Sequence, residues 1–148
     1  VVDTLTQIVA NFKVLYPDFT FVLDIDSKAD LLSPIYRNHF EQVIIILLDN
    51  AVKYSTNRKE IIVSLSTVAD QVEIGIQDFG MGLSEEDKKK VFSRFYRVDK
   101  ARSRERGGNG LGLSIAKELI EGYNGSISLT SHLDQGTVFK VKLPIVSS

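Results

Sequence analysis

A carboxylate followed by two glycines stands at the end of a predicted strand, in the segment Asp78-Phe79-Gly80-Met81-Gly82. Glycine is used where the backbone needs a positive φ angle or where a ligand must approach the chain closely. A carboxylate in that setting can accept a hydrogen bond from an exocyclic amine, such as the amine of adenine. The same pattern also fits a simple turn at the end of a strand, and the segment alone does not decide between the two.

A second glycine cluster, Gly107 to Gly112, runs directly into a predicted helix. The N-terminus of a helix has unpaired backbone N–H groups and a partial positive charge, so it suits phosphate. The cluster is not a Walker A loop, because no Gly-Lys-Ser/Thr follows, and it is not a Rossmann fingerprint, because no strand precedes it. A tight connection without a ligand is the alternative.

Three polar residues, Asn50, Lys53 and Tyr54, lie on one face of an otherwise apolar predicted helix. Burying an amide and an ammonium group is costly unless both find partners. An Asn side chain can supply an oxygen to Mg²⁺, and a Lys can contact phosphate as a point charge. The alternative is that these residues form the solvated end of the helix.

Apolar periodicity predicts the elements that must position these residues. The predicted helices are 3–15, 35–54 and 111–123, and the predicted strands are 19–25, 61–68, 71–78, 126–131 and 137–143. The middle helix is apolar almost all round, which is typical of a buried helix. Because strands and helices do not alternate strictly, the expected fold class is α/β, a two-layer sandwich with one mixed sheet covered by helices on one face.

Between Gly80 and Gly110 the apolar period weakens and charge dominates. Nine basic and five acidic side chains lie between Glu85 and Arg106, in a chain whose net charge is -1. The sequence therefore predicts a polar, mobile loop between core elements. Such a loop can close on a triphosphate and screen its charge, or it can be a solvated loop without a role.

Composition sets the outer limits of the function. The 148 residues suit one domain, residues 1–148, and a net charge of -1 gives no bulk attraction to nucleic acid or to an anionic membrane. Cysteine is absent, so disulfides and thiolate metal sites are excluded. The longest apolar stretch, Val43 to Leu48, is too short to span a bilayer. Since the sequence opens at Val1 without a signal peptide or an initiator Met, we expect a fragment of a longer protein.

Five motifs in order resemble those of sensor histidine kinases over essentially the whole chain. They are similar to the N box (Asn50 to Tyr54), the G1 box (Asp78 to Gly82), the F box (Val91 to Asp99), the G2 box (Gly108 to Leu113) and the last glycine motif (Gly136 to Phe139). The resemblance implies the Bergerat ATP-binding fold, with a mostly antiparallel sheet, a mobile ATP lid, and ATP and Mg²⁺ as cofactors. One motif of this kind is weak evidence, whereas five in order are highly specific.

The resemblance also implies a role for each matching residue. Asp78 would bind the adenine amine, Asn50 would hold Mg²⁺ against the phosphates, and Arg97 would approach the terminal phosphate. Thr137 would border the adenine, and Phe92 and Phe95 would anchor the lid. The implied nucleotide-binding set is Asn50, Lys53, Tyr54, Asp78, Gly80, Gly82, Lys100, Gly108, Gly110, Leu111, Gly112, Leu113 and Thr137, the catalytic set is Asn50, Lys53 and Arg97, and the metal ligand is Asn50.

One position departs from the family pattern. Most histidine kinases have an Asn one helical turn before the N-box Asn, and here that position is Ile46. An Ile cannot bind a cation, so the sequence leaves open whether the Mg²⁺ shell implied by the resemblance is complete. The same position holds a water-activating Glu in the clamp ATPases of this fold. Asp49, the neighbour of Asn50 in sequence, points about 100° away from Asn50 around the helix and does not replace that Glu. Ile46 therefore argues against an ATP-hydrolysing clamp.

The resemblance implies partners that this sequence does not contain. Neither His39-Phe40-Glu41 nor His132-Leu133-Asp134 matches the phospho-acceptor motif, so the acceptor histidine is expected on a separate dimerisation domain. The phosphate would then pass to a response regulator. We expect a monomeric cytoplasmic domain without nucleic acid or direct membrane contact, whose parent protein is anchored in the membrane.

Two other functions remain open at this point. A serine-directed anti-sigma-factor kinase has the same fold, but the F box and the Lys53-Tyr54 pair argue against it. A domain that binds ATP and transfers nothing is favoured only by Ile46.

Overall fold

The computed structural model describes residues 2–25, 35–55, 58–68, 70–80, 82–92, 112–132 and 135–144. Four helices and five strands lie in these ranges. The helices are α1 (Val2–Leu15), α2 (Arg37–Tyr54), α3 (Glu85–Lys90) and α4 (Gly112–Gly122). The strands are β1 (Thr20–Ile25), β2 (Glu60–Val68), β3 (Gln71–Gln77), β4 (Ser126–His132) and β5 (Gly136–Pro144).

The five strands form one sheet in the order β1-β2-β3-β5-β4. Only β1 and β2 are parallel, and the other three pairs are antiparallel. The predicted fold class, with its mixed and mostly antiparallel sheet, is confirmed. Because β3 and β5 are neighbours at the centre, the chain leaving β3 at Asp78 lies beside Thr137 of β5.

Strand periodicity explains the two layers, since alternate side chains of a strand point to opposite faces of the sheet. On β2, Ile61, Val63 and Leu65 are buried in the core with side chains of α1, α2 and α4. The residues between them are only half-buried. One face of the sheet therefore carries the helices and the hydrophobic core, as expected from the sequence.

Helix α2 is the central element of the helical layer, and it is less enclosed than its sequence predicts. Seven of its residues are buried, among them Leu47 and Leu48, yet Ile45 is 40% exposed and Ile46 is half-buried. An open groove beside α4 accounts for this, because it is lined by both isoleucines and by Gly112. None of the helices in the described ranges has the length and apolar character needed to cross a membrane.

The prediction of a loop throughout residues 80–110 is wrong for α3. Ser84 caps this six-residue helix by accepting the Asp87 N–H at 3.1 Å. Acidic side chains fill the first turn and lysines fill the last, an order that complements the helix dipole. Charge pattern and cap make a helix here without any buried residue, which is why apolar periodicity did not reveal it.

Candidate functional site

Asp78 follows β3 directly and is the most deeply placed carboxylate of the candidate site. The residue is 5% exposed. Its Oδ1 accepts two backbone hydrogen bonds, from the Gly80 N–H at 3.0 Å and from the Thr137 N–H at 3.2 Å. Within the described ranges Oδ2 has no hydrogen-bond partner. One carboxylate oxygen thus fixes the side chain while the other can accept a donor from outside.

Because Asp78 is buried, its second oxygen, Oδ2, gains more from a hydrogen-bond donor than an exposed carboxylate oxygen would. Burial raises the pKa of the Asp78 carboxyl above its ordinary value, and the hydrogen bonds from Gly80 and Thr137 partly oppose the rise. A buried carboxylate gains from every N–H donor that reaches it, because the donor replaces lost hydration. A ligand amine at Oδ2 would provide such a donor.

Backbone contacts hold the Asp78 turn from two sides. A Cβ at Gly80 would lie 1.8 Å from the Tyr54 carbonyl oxygen at the end of α2. A Cβ at Gly136, whose φ is +102°, would lie 2.2 Å from the Asp78 carbonyl oxygen. Both approaches are possible only for glycine. The turn is therefore packed between the end of α2 and the start of β5.

A buried hydroxyl pair supports Thr137. The Ser131 hydroxyl donates to the Gly136 carbonyl at 3.0 Å, lies 2.8 Å from Thr137 Oγ1, and accepts the Leu83 N–H at 2.7 Å. It therefore links β4, β5 and the chain leaving the Asp78 turn. Sequence reasoning missed Ser131, although it is a polar residue at an inward position of β4, two residues after Leu129 and four after Ile127.

The last turns of α2 present the second group of polar side chains. Asn50 Nδ2 donates back to the Ile46 carbonyl at 2.9 Å, and Asn50 Oδ1 has no hydrogen-bond partner in the described ranges. Lys53 and Tyr54, on the same face, are half-buried. An anchored amide with a free oxygen fits a cation such as Mg²⁺, whose ligands are oxygens. No cluster of three or more His, Asp or Glu suited to a metal ion lies in the described ranges.

The start of α4 lies close to this group. A Cβ at Gly112 would lie 3.4 Å from Ile46 Cγ2, so α2 and α4 touch one helical turn before Asn50. Gly112 and Leu113 are both half-buried. The arrangement brings a helix N-terminus, the Asn50 amide oxygen and the Lys53 helix face into one region, a combination suited to anionic oxygens and their counter-cation.

Several of the predicted site residues lie outside the described residues. They are Arg97, Lys100, Gly108, Gly110 and Leu111, together with Phe95 of the predicted lid anchor. Phe92 is described and packs edge-to-face on Phe139 of β5, with ring centroids 6.1 Å apart. Phe92 is thus packed against the core, and its role as a lid anchor stays a prediction. Gly82 adopts a positive φ of +71°, a backbone conformation that favours glycine.

Comparison with known proteins identifies a family and a fold. Residues 36–147 match the family model described as histidine kinase-, DNA gyrase B- and HSP90-like ATPase. The chain is 44% identical over 139 residues to the signal transduction histidine-protein kinase ArlS of Staphylococcus aureus (strain USA300), covering 94% of this chain and 31% of that kinase. The chain thus spans about a third of the length of the curated relative.

Solved structures agree with this assignment. The catalytic domain of histidine kinase ThkA superposes with a TM-score of 0.76 at 26% identity, covering 95% of this chain and 94% of that one. A mycobacterial sensor histidine kinase, MprB, shares the fold with a TM-score of 0.81 at 21% identity, over 99% and 95% of the two chains.

Asp78→Asn tests the cost of burying the carboxylate. The folded protein holds the Asp78 proton more tightly than the unfolded chain, since burial raises the folded-state pKa above the ordinary 3.8. The ionised carboxylate therefore lowers stability at neutral pH, and this penalty fades as the pH falls through the folded pKa toward the unfolded value. An Asn can still accept both N–H groups. We expect Asp78→Asn to be at least as stable as wild type at pH 7, with the advantage shrinking on acidification in urea unfolding.

Asp18→Asn, at a side chain that is 80% exposed, controls for the loss of one negative charge. A large loss of stability in Asp78→Asn at pH 7 that closes on acidification would show that the ionised form stabilises the fold.

Proposed function

The chain belongs to the histidine kinase-, DNA gyrase B- and HSP90-like ATPase family and is an ATP-binding catalytic domain of the sensor histidine kinase type, and we propose that it donates the γ-phosphoryl group of MgATP to a histidine of a separate domain. The observation that carries the proposal is the Asp78 carboxylate, whose Oδ1 accepts two backbone N–H groups and whose Oδ2 has no partner among the residues that the structure describes. A single outward acceptor in a buried turn suits an exocyclic amine, and adenine has one.

In the proposed complex, the base contacts Asp78 and is bordered by Thr137. The distance between the two residues is set by the Asp78 N–H, which donates to the Thr137 carbonyl at 2.9 Å. Gly80 and Gly82 would let the backbone pass close to the ligand. Because the Asp78–Thr137 hydrogen bond joins the backbone just after β3 to β5, the two residues are already in place before the ligand arrives, and little ordering cost falls on binding.

The phosphate side of the proposed site lies between α2 and α4. Lys53 and Tyr54 would line the nucleotide, and the first turn of α4, with Gly112 and Leu113, would direct backbone N–H groups at the phosphates. The side-chain oxygen Oδ1 of Asn50 would be the ligand for Mg²⁺, since the side-chain nitrogen Nδ2 already donates a hydrogen bond to the Ile46 backbone carbonyl. A bound Mg²⁺ neutralises charge on the phosphate oxygens.

The remaining residues proposed for this site are Arg97, Lys100, Gly108, Gly110 and Leu111. Arg97 would approach the terminal phosphate, and the glycine-rich backbone would cradle the chain of phosphates. Phosphoryl transfer needs positioning and charge neutralisation more than covalent participation by the protein. In the proposed step an imidazole nitrogen of the acceptor forms the bond to the γ-phosphorus while the bond to ADP breaks, and ADP leaves.

The acceptor histidine, in our proposal, belongs to a dimerisation domain of the parent protein, and a response regulator takes the phosphate from it. We further propose that residues 1–148 act as one monomeric domain on the cytoplasmic side of a membrane-anchored parent, without contact to nucleic acid or lipid. Support comes from ArlS, which is named a signal transduction histidine-protein kinase. Neither His39 nor His132 is proposed as acceptor.

A second candidate is a domain that binds the nucleotide without transferring phosphate. The observation in its favour is Ile46, whose side chain packs beside Gly112 where an additional oxygen ligand would complete a metal shell. Binding without transfer would follow if Asn50 alone held the cation too loosely to align the γ-phosphate.

A phosphotransfer assay separates the two candidates. The chain is mixed with labelled MgATP and a dimerisation domain from an ArlS-type kinase, and label on the histidine is followed over time. We expect transfer by wild type and a loss of at least about a hundredfold in Asp78→Asn, because an amide cannot reproduce the charged acceptor. Nucleotide binding with no labelled acceptor would favour the second candidate.

Ile46→Asn tests the metal shell. The added amide oxygen would lie one helical turn from Asn50, and we expect it to tighten Mg²⁺-dependent ADP binding by about threefold or more, as one extra oxygen ligand stabilises the cation. Isothermal titration with and without Mg²⁺ measures the effect. Ile45→Asn is the matched control, since that residue lies about 100° away around α2. Equal affinities for wild type and Ile46→Asn in the presence of Mg²⁺ would show that position 46 does not face the cation.

A further inference from the structure

The two described ends of the connection between α2 and β2 both lie against the Asp78 turn. At the start of the connection, the Tyr54 carbonyl occupies the place of a Gly80 side chain, and Ser55 Cα lies 3.2 Å from that place. Ser55 is 4% exposed and its N–H donates to the Ala51 carbonyl, so the chain leaves α2 tightly packed. The start of the connection is therefore a fixed wall behind Gly80.

Further along the same connection, Arg58 covers Phe79, the residue between Asp78 and Gly80. Its guanidinium carbon lies 4.0 Å from the centre of the Phe79 ring. One of its nitrogens donates to both carboxylate oxygens of Glu60, at 3.1 Å each. Glu60 begins β2 and is paired with Thr20 of β1 in the sheet register. The Arg58 guanidinium is thus held between the sheet and the Phe79 ring.

Three contacts therefore enclose the turn, and they differ in kind. The Gly80 and Gly136 contacts are made by backbone, and a change at either glycine would displace the chain itself. The Arg58–Phe79 contact is made by side chains, and the Arg58 side chain is 57% exposed. A cation over an aromatic ring at an exposed site contributes modestly to stability. This contact can therefore shift the turn without unfolding the domain.

We propose that Arg58 is a positioning residue for base recognition, acting through Phe79 on the Asp78 carboxylate. With Arg58 in place, the Phe79 ring is fixed, so the Gly80 N–H keeps its 3.0 Å hydrogen bond to Asp78 Oδ1. Without it, the Phe79 ring loses this contact, the Phe79 backbone between Asp78 and Gly80 becomes more mobile, and Oδ2 is directed less firmly toward the amine of the base. The inference rests on the proposed function, because it assumes that the Asp78 turn binds adenine.

The test compares two nucleotides on the 148-residue chain by calorimetric titration: ADP, and the diphosphate of a purine riboside that lacks the 6-amino group. We expect Arg58→Gln to weaken ADP binding by about threefold to fivefold, the upper part of the range for losing one cation–π contact at an exposed site. Binding of the analogue should stay within about twofold of wild type, because the analogue makes no hydrogen bond through that amine. Arg58→Lys, which keeps a cation over the ring, should restore most of the ADP affinity.

Arg37→Gln is the matched control, since Arg37 is also paired with a glutamate, Glu41, but on the first turn of α2. It removes the same charge and should leave both affinities unchanged. Equal losses for ADP and the analogue in Arg58→Gln, or no loss for either, would overturn the inference while leaving the proposed function standing. A wild-type chain that binds ADP no better than the analogue would overturn both, since the amine would then have no acceptor.

Discussion

A buried carboxylate needs hydrogen-bond donors to replace its lost hydration. The rest of this site depends on which groups donate to Asp78. Its Oδ1 receives one N–H from its own turn and one from β5. Both donors require close backbone packing, which is why Gly80 and Gly136 stand where any side chain would strike a carbonyl oxygen. Ser131 then fixes the β4–β5 hairpin from inside. The sheet and the turn thus hold Asp78 Oδ1 in place, and Oδ2 has no partner in the described ranges.

The phosphate side of the site follows a different principle. There the structure provides an Asn50 amide oxygen without a partner in the described ranges, a half-buried Lys53 and a helix N-terminus that touches α2 through Ile46. An isoleucine at position 46 gives packing between α2 and α4 instead of an oxygen ligand. In the proposed function, the base is held by fixed backbone geometry while the metal depends on few ligands. Under the proposed function, base recognition and metal binding would therefore depend on different parts of the site.

Most of the fold could be predicted from apolar periodicity, because β2, β3, β5 and α2 bury regular sets of side chains. Helix α3 could not, since it buries nothing and forms through Ser84 and its charge order. The glycines of the motifs indicated the Asp78 turn in the sequence. They did not indicate why glycine is needed, because Gly80 and Gly136 each contact a carbonyl oxygen of a residue distant in sequence. Ser131 and Arg58 were missed for the same cause: their partners, Leu83 and Phe79, are set by the tertiary structure. Other predicted site residues, such as Arg97 and Gly108, lie outside the described residues and stay predictions.

The proposed function requires that Asp78 and Asn50 belong to one nucleotide site. The most direct measurement is a crystal structure of the chain with ADP and Mg²⁺. The proposed function predicts the adenine amine within hydrogen-bonding distance of Asp78 Oδ2, and Mg²⁺ bound by Asn50 Oδ1 and the phosphates. A nucleotide bound elsewhere, or one whose base leaves Oδ2 in contact with solvent alone, would contradict it.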